Sequence, residues 1–223
     1  MIRAVIFDVD GTLVDTVDLH AAAWTETFRA FGVEADVRQV RSQIGKGADQ
    51  MMPVFVSPAL LDARREEIER FRSELYKREY MPRATAFPGA RALFERLKRD
   101  GRQVAIGSSC KADELGRYLE LAGVADLIDA ATTGDDAEHT KPFPDIFQAA
   151  LAKLDGIEPA DTAVVGDSPF DAQAALGAGM KPVGVLCGGF PENDLRAAGC
   201  VEVHRDLQAV LAAYPDSILG RGA

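Results

Sequence analysis

With 223 residues, 47% hydrophobic content and a formal net charge of −10, the chain has core material for one large domain or two unequal ones. It has no apolar run long enough to cross a bilayer, and its charge opposes binding to nucleic acid or an anionic membrane. Three cysteines, Cys110, Cys187 and Cys200, lack paired metal-ligand spacing and read as reduced thiols. No charged-then-apolar leader precedes the first strand, so the expected location is the cytoplasm.

An apolar, β-rich run over residues 2–7 leads directly into Asp8-Val9-Asp10-Gly11-Thr12-Leu13-Val14-Asp15-Thr16. Two carboxylates two residues apart at a strand end share one face, and Gly11 lets the backbone bend so that both flank one reacting group. One such acid can serve as a covalent nucleophile while the other donates and recovers a proton. From residue 16 to residue 84 no good strand follows. Leu19, Ala23, Thr27, Phe28 and Phe31 trace a helical stripe ending at Gly32, and a second long helix runs from about Pro58 to Tyr80. Its charged residues, 62–79, read as a solvated face. The insertion returns through Arg83-Ala84-Thr85-Ala86-Phe87-Pro88-Gly89, and two crossings suit a hinge.

Further strands are expected at 103–107, 162–166, 182–186 and 200–204, mostly separated by helical patterns. Runs such as Ala163-Val164-Val165-Gly166, apolar on both faces, favour a parallel sheet covered by helices. Residues 218–223 are expected to fray.

Three strand ends carry polar chemistry. In Gly107-Ser108-Ser109-Cys110-Lys111 the serines can bond a phosphoryl oxygen or cap the next helix. In Thr140-Lys141-Pro142-Phe143-Pro144-Asp145 two prolines are expected to hold the chain extended. Lys141 would then be presented to neutralise a phosphoryl group and a carboxylate, or be an ordinary surface lysine. In Gly166-Asp167-Ser168-Pro169-Phe170-Asp171, Asp167 joins Asp8 and the Asp10 carbonyl as oxygen ligands suited to octahedral Mg²⁺. Asp171 can orient Lys141, hold a metal water, or complement the helix dipole.

The ordered motifs DVDGTLVDT, SS, KP and GDSPFD together resemble the haloacid dehalogenase superfamily of phosphohydrolases over essentially the whole chain. The resemblance implies a doubly wound α/β core with its site at the carboxyl ends of the strands, residues 1–15 and 85–223, and an inserted helical cap, residues 16–84. It further implies Asp8 as nucleophile, Asp10 as general acid and base, Thr12 and Ser108 (with Ser109 beside it) as phosphate binders and Lys141 as the charge-neutralising lysine. Asp167 then corresponds to the metal-binding acid and Asp171 to its accessory acid. Dehalogenating members lack the second aspartate, so phosphoryl transfer from a small phosphorylated metabolite is the expected reaction.

β-Phosphoglucomutase-like members also carry a histidine and a tryptophan where His20 and Trp24 stand, but typically present Glu-Asp where this chain has Gly166-Asp167-Ser168. Hydrolysis is the favoured outcome and mutase chemistry the alternative. A binder without catalysis is opposed by two acids that would repel an anion. His20 stands within reach of Asp10, and Trp24 reads as core of the insertion. The loop Gln43-Ile44-Gly45-Lys46-Gly47-Ala48-Asp49 is the candidate specificity loop, with Lys46 meeting an anionic substrate end. The assembly is expected to be a monomer or homodimer.

Overall fold

Alternation along the first strand decides the architecture. In β1 (Ala4–Phe7), Val5 and Phe7 enter one apolar cluster while Ala4 and Ile6 enter a second on the opposite face, so the strand needs cover on both sides. The computed structural model describes residues 1–221 and shows that cover. β1 lies inside a six-stranded sheet with β4 (Gln103–Gly107), β5 (Ala130–Thr132), β6 (Thr162–Gly166), β7 (Lys181–Val185) and β8 (Glu202–His204). The order is β5-β4-β1-β6-β7-β8, and every adjacent pair is parallel.

Helices α5 (Ala90–Arg99), α6 (Ala112–Ala122) and α10 (Leu207–Ala213) supply Leu93, Phe94, Leu115, Tyr118, Leu207 and Val210 to one face. α7 (Asp145–Ala152) and α8 (Pro169–Gly177) supply Ile146, Phe147, Ala174 and Ala175 to the other. α9 (Glu192–Ala197) buries Leu195 beside β7. The strand order reverses at β1, so the carboxyl ends of β1, β4 and β6 open onto a common crevice.

Between residues 16 and 84 the chain is helical throughout its regular parts: α1 (Val17–Ala30), α2 (Val37–Arg41), α3 (Ala48–Phe55) and α4 (Pro58–Leu75). These helices bury a third apolar cluster of their own, centred on Trp24, Phe28, Met51, Met52 and Ile68. The chain leaves through β2 (Val14–Asp15) and returns through β3 (Thr85–Ala86), which pair antiparallel as Val14↔Ala86 and Asp15↔Thr85. The two crossings are therefore hydrogen-bonded to each other.

Some sequence expectations need correction. The long second helix ends at Leu75 and continues as a π-helical turn over Tyr76–Tyr80. Residues 140–143 form a turn, closed by Phe143 N donating to Thr140 O at 3.1 Å, where extended chain was expected. Edge strand β5 and the β2–β3 pair were not expected; Ala130-Ala131-Thr132 carries little side chain to announce a strand. The tail does not fray at its start, for Leu219 is fully buried and Ile218 N donates to Glu202 Oε1 at 2.8 Å. The expectation for Gly222 and Ala223 lies outside the described residues. Among the described residues the three cysteines are unpaired, and no helix is long and apolar enough to cross a membrane.

Candidate active site

Asp8 leaves the end of β1 with its N–H still bonded to Val165 O at 2.9 Å, so the sheet fixes its backbone. The chain then turns sharply, with Gly11 N donating to Val14 O at 2.8 Å. Gly11 is required twice over: its φ is +79°, and a β-carbon there would overlap the Asp167 carboxylate. Asp167 follows β6, and Ser108 follows β4.

Lys141 is the cation of this cluster. It is 1% exposed, so the surface reading fails, and its Nζ donates to Asp8 Oδ1 and, at 2.7 Å, to Asp171 Oδ1. Asp171 is placed for two of its three expected roles, holding Lys141 and standing in the first turn of α8. Its Oδ2 accepts from Ser168 N at 3.1 Å and Ser168 Oγ at 2.6 Å, forming the capping box of α8, while Oδ1 holds the lysine. Burial works to lower the Lys141 pKa, but Asp171 and Asp8 outweigh it and raise it.

Ligand oxygens of Asp8, Asp167 and Asp171 lie within 4.8 Å of one another, and all three residues are buried. One lysine cannot neutralise three acids. Burial, with Asp171 and Asp10, pushes Asp8 up to about 7 against the pull of Lys141. Burial, Asp171 and Asp8 push Asp167 well above the usual carboxylate range. Asp167 Oδ1 accepts from the Thr12 hydroxyl at 3.3 Å. This oxygen-only, anionic pocket is short of positive charge, which is the donor set a hard divalent cation fits.

Asp10 stands in a different setting. Its Oδ1 faces Thr16 Oγ1 at 2.6 Å and His20 Nε2 at 2.8 Å. Burial works to raise its pKa, but His20, Thr16 and Arg72 hold it below the usual value. The two acids of the first motif are thus driven apart, Asp8 upward and Asp10 downward.

A cavity of about 120 Å³ opens over these groups, walled by Asp8, Asp10 and Lys141 from the sheet side and His20, Trp24 and Arg72 from the insertion. Ser109 also lines it. Thr12 and Ser108 do not: both are fully buried below it, and Ser108 Oγ accepts from Cys110 N at 3.2 Å. Neither serine caps α6, whose N-cap is Lys111. Lys46 lines the cavity, but its ammonium donates to Gln43 Oε1 at 2.6 Å and sits over the Phe170 ring at 4.8 Å. Trp24 is both core of the insertion and cavity wall.

The insertion touches the sheet domain beside Lys141. Asp49, at the start of α3, accepts from Thr140 N at 3.2 Å and from Thr140 Oγ1, which in turn accepts from Gly47 N at 3.0 Å. Nothing in the sequence singles out Arg72 as a site residue, and Thr140 and Asp49 stand out only as the ends of the lysine motif and the specificity loop, not as partners of each other. Arg72 falls within the charged face of α4 yet turns inward, with Nη2 donating to His20 Nδ1 and its guanidinium stacked 4.6 Å from the Tyr76 ring centre.

The haloacid dehalogenase-like hydrolase family model matches residues 5–185, spanning all these stations. The chain belongs to that family. Within it, Pyrophosphatase PpaX of Bacillus velezensis is 29% identical over 82% of this chain and 83% of its own length. Fructose-1-phosphate phosphatase YqaB of Escherichia coli is 26% identical over 81% and 94% respectively. A solved hydrolase from Pseudomonas syringae superposes with a TM-score of 0.86 at 28% identity, covering 96% of this chain and 98% of that one. Family membership makes the chain a hydrolase, and the two curated relatives are phosphatases acting on different phosphorylated groups.

Proposed function

We propose that this chain is a Mg²⁺-dependent phosphatase that hydrolyses a phosphomonoester of a small metabolite through an aspartyl-phosphate on Asp8. The observation that carries this reading is the pair of differently held acids, Asp8 against Lys141 and Asp10 against His20 and Thr16, at the mouth of one cavity. Asp10 is held towards its ionised form in the free site, so it must first take up a proton as the phosphoryl dianion enters. It then gives that proton to the leaving oxygen while Asp8 attacks phosphorus and the ester P–O bond breaks. Water then attacks the aspartyl-phosphate, Asp10 takes a proton from it, and phosphate leaves with both acids restored. Asp10 accepts both neighbouring donors on Oδ1, which leaves Oδ2 for this proton. Lys141 favours the ionised form of Asp8 against its burial and offsets phosphoryl charge.

Asp8, Asp167 and the Asp10 carbonyl would hold Mg²⁺, which when bound supplies the positive charge the acidic cluster lacks. Residues 16–84 form the cap, with the β2–β3 pair as its hinge and the Asp49–Thr140 contact as its closed-state link to the core. Ser109 is the serine positioned to meet the substrate, and Thr12 and Ser108 support the loops around the phosphoryl group.

The deciding experiment measures phosphate release from p-nitrophenyl phosphate with Mg²⁺ and with chelator, for the natural chain and Asp8→Asn. Release that needs Mg²⁺ and vanishes in Asp8→Asn is expected; release that survives Asp8→Asn overturns the covalent route. The His20–Asp10 contact favours one second reading, a phosphosugar mutase. Incubation with a hexose 1-phosphate tests it, since a mutase yields the 6-phosphate without free phosphate.

A further inference from the structure

Glu114 has no role in the chemistry above, yet it is one of the most deeply buried acids of the chain. It sits in the first turn of α6, is 1% exposed and lines the active-site cavity. Among the described residues its Oε1 has no hydrogen-bond partner, the nearest cation being Arg72 Nη1 at 3.7 Å. Two further orphans line the same cavity: Arg72 Nε and Ser109 Oγ are also buried without partners. Buried polar atoms are normally satisfied, so three unsatisfied ones around one cavity point to a ligand that completes them.

The chemistry of the three selects the ligand. Glu114 only accepts, the Arg72 N–H only donates, and Ser109 does either. A carboxylate in the leaving group would face Glu114 as a second acceptor of like charge. An ammonium would face Arg72 in the same way. A hydroxyl donates to the first and accepts from the second at once, and Trp24 offers the C–H face of such a polyol an apolar wall.

We infer that Glu114, with Arg72 and Ser109, is a hydroxyl-reading site that selects polyhydroxylated leaving groups, polyol or sugar phosphates, over carboxylated ones such as phosphoglycolate. This assignment rests on the phosphatase reading for its location, and its cavity of about 120 Å³ suits a leaving group of few heavy atoms. Glu114 is a specificity residue reached from the core, and Arg72 brings its half of the pair from the insertion, so the pair is complete only when the two units meet.

The test is calorimetric binding, with Mg²⁺ present, of 3,4-dihydroxybutylphosphonate and butylphosphonate, which cannot be hydrolysed and differ only in two hydroxyls. The natural chain should bind the dihydroxy ligand about tenfold to a hundredfold tighter, the range of a hydrogen bond to a charged group. Glu114→Ala should bring the two affinities within about threefold of each other, a difference too small to hold such a bond. Glu114→Gln, which keeps the shape and one acceptor, should restore part of the preference and guards against loss of folding in the alanine variant. Equal affinities in the natural chain, or a preference that survives Glu114→Ala, would overturn the inference, as would equal weakening of both ligands, which marks a purely structural acid. Turnover of p-nitrophenyl phosphate is read in parallel: its absence defeats the phosphatase reading, while the affinity ratio still decides the hydroxyl site.

Discussion

Arg72 donates through Nη2 to Nδ1 of His20, so the proton of a neutral His20 ring sits on Nε2, 2.8 Å from Asp10 Oδ1. A residue of α4 therefore fixes the tautomer of a residue of α1, which in turn fixes the orientation of an acid on the core. Because the three act in series, removing Arg72 or His20 should disable the same function. Arg72→Ala and His20→Ala are each expected to lower kcat on p-nitrophenyl phosphate by about tenfold to a hundredfold, as misplaced catalytic groups do. The double variant should be no slower than the worse single one. Losses that multiply would show that Arg72 and His20 act separately.

Among the described residues Lys141 is the only cation bonded to the buried acids Asp8 and Asp171, and removing one partner of a buried charge cluster leaves the others uncompensated. Lys141→Ala should cost about 3–5 kcal/mol. At about 2–4 °C per kcal/mol for a chain of this size, calorimetry should show Tm falling by about 6–20 °C. Added Mg²⁺ should raise the Tm of the variant more than that of the natural chain, because a cation at the proposed site between Asp8 and Asp167 would replace part of the lost charge. A Tm unmoved by the substitution would mean that the acids are neutral without the lysine.

The contrast between these two relationships explains what could be read from residues alone. Asp8, Asp10, Asp167 and Asp171 were legible because each lies where an apolar strand pattern breaks into acids, and parallel strands all end on the same side of a sheet. Ala163-Val164-Val165 announced a strand covered on both faces, and Ala163 and Val165 do enter one cluster while Val164 enters the other. Arg72 was not legible, for helical periodicity gives its azimuth on α4 but not the 52-residue return to His20. The charged face of α4 hid it among arginines that do face water. Lys46 illustrates the converse, since a lysine between two glycines invites a substrate contact that Gln43 and Phe170 already occupy here.

Gly188 is a second position whose importance exists only in three dimensions. It follows β7, and a β-carbon there would overlap the Asp167 carboxylate, a short side chain with Thr12 on its other side. Gly188→Ala must push Asp167 out of register with Asp8. The Mg²⁺ concentration for half-maximal phosphatase activity should rise about tenfold, in line with disturbed ligand positioning. Stability should fall by about 1–3 kcal/mol, as overpacking does. Titrating activity with Mg²⁺ decides the matter, and an unchanged requirement would remove Asp167 from the metal site.

Glu202 offers a pH-dependent prediction away from the active site. Its carboxylate accepts from Ser217 Oγ at 2.6 Å and Ile218 N at 2.8 Å, and so binds the C-terminal segment to β8. Burial alone would raise its pKa, but Ser217, Ile218 and His204 hold it below the ordinary glutamate value of 4.5. A folded pKa below the unfolded one means that the unfolded chain binds more protons in this window, so the contribution is complete above the unfolded value. It is lost as pH falls through the folded value. Glu202→Gln should destabilise the protein at neutral pH by about 1 kcal/mol once solvent screening is allowed for, or about 2–4 °C in Tm. Melting both proteins from neutral pH downward should show the gap closing on the acid side of the ordinary glutamate value, where the natural side chain is protonated and matches glutamine in charge. A gap of constant size would mean that the charge of Glu202 does not hold the tail.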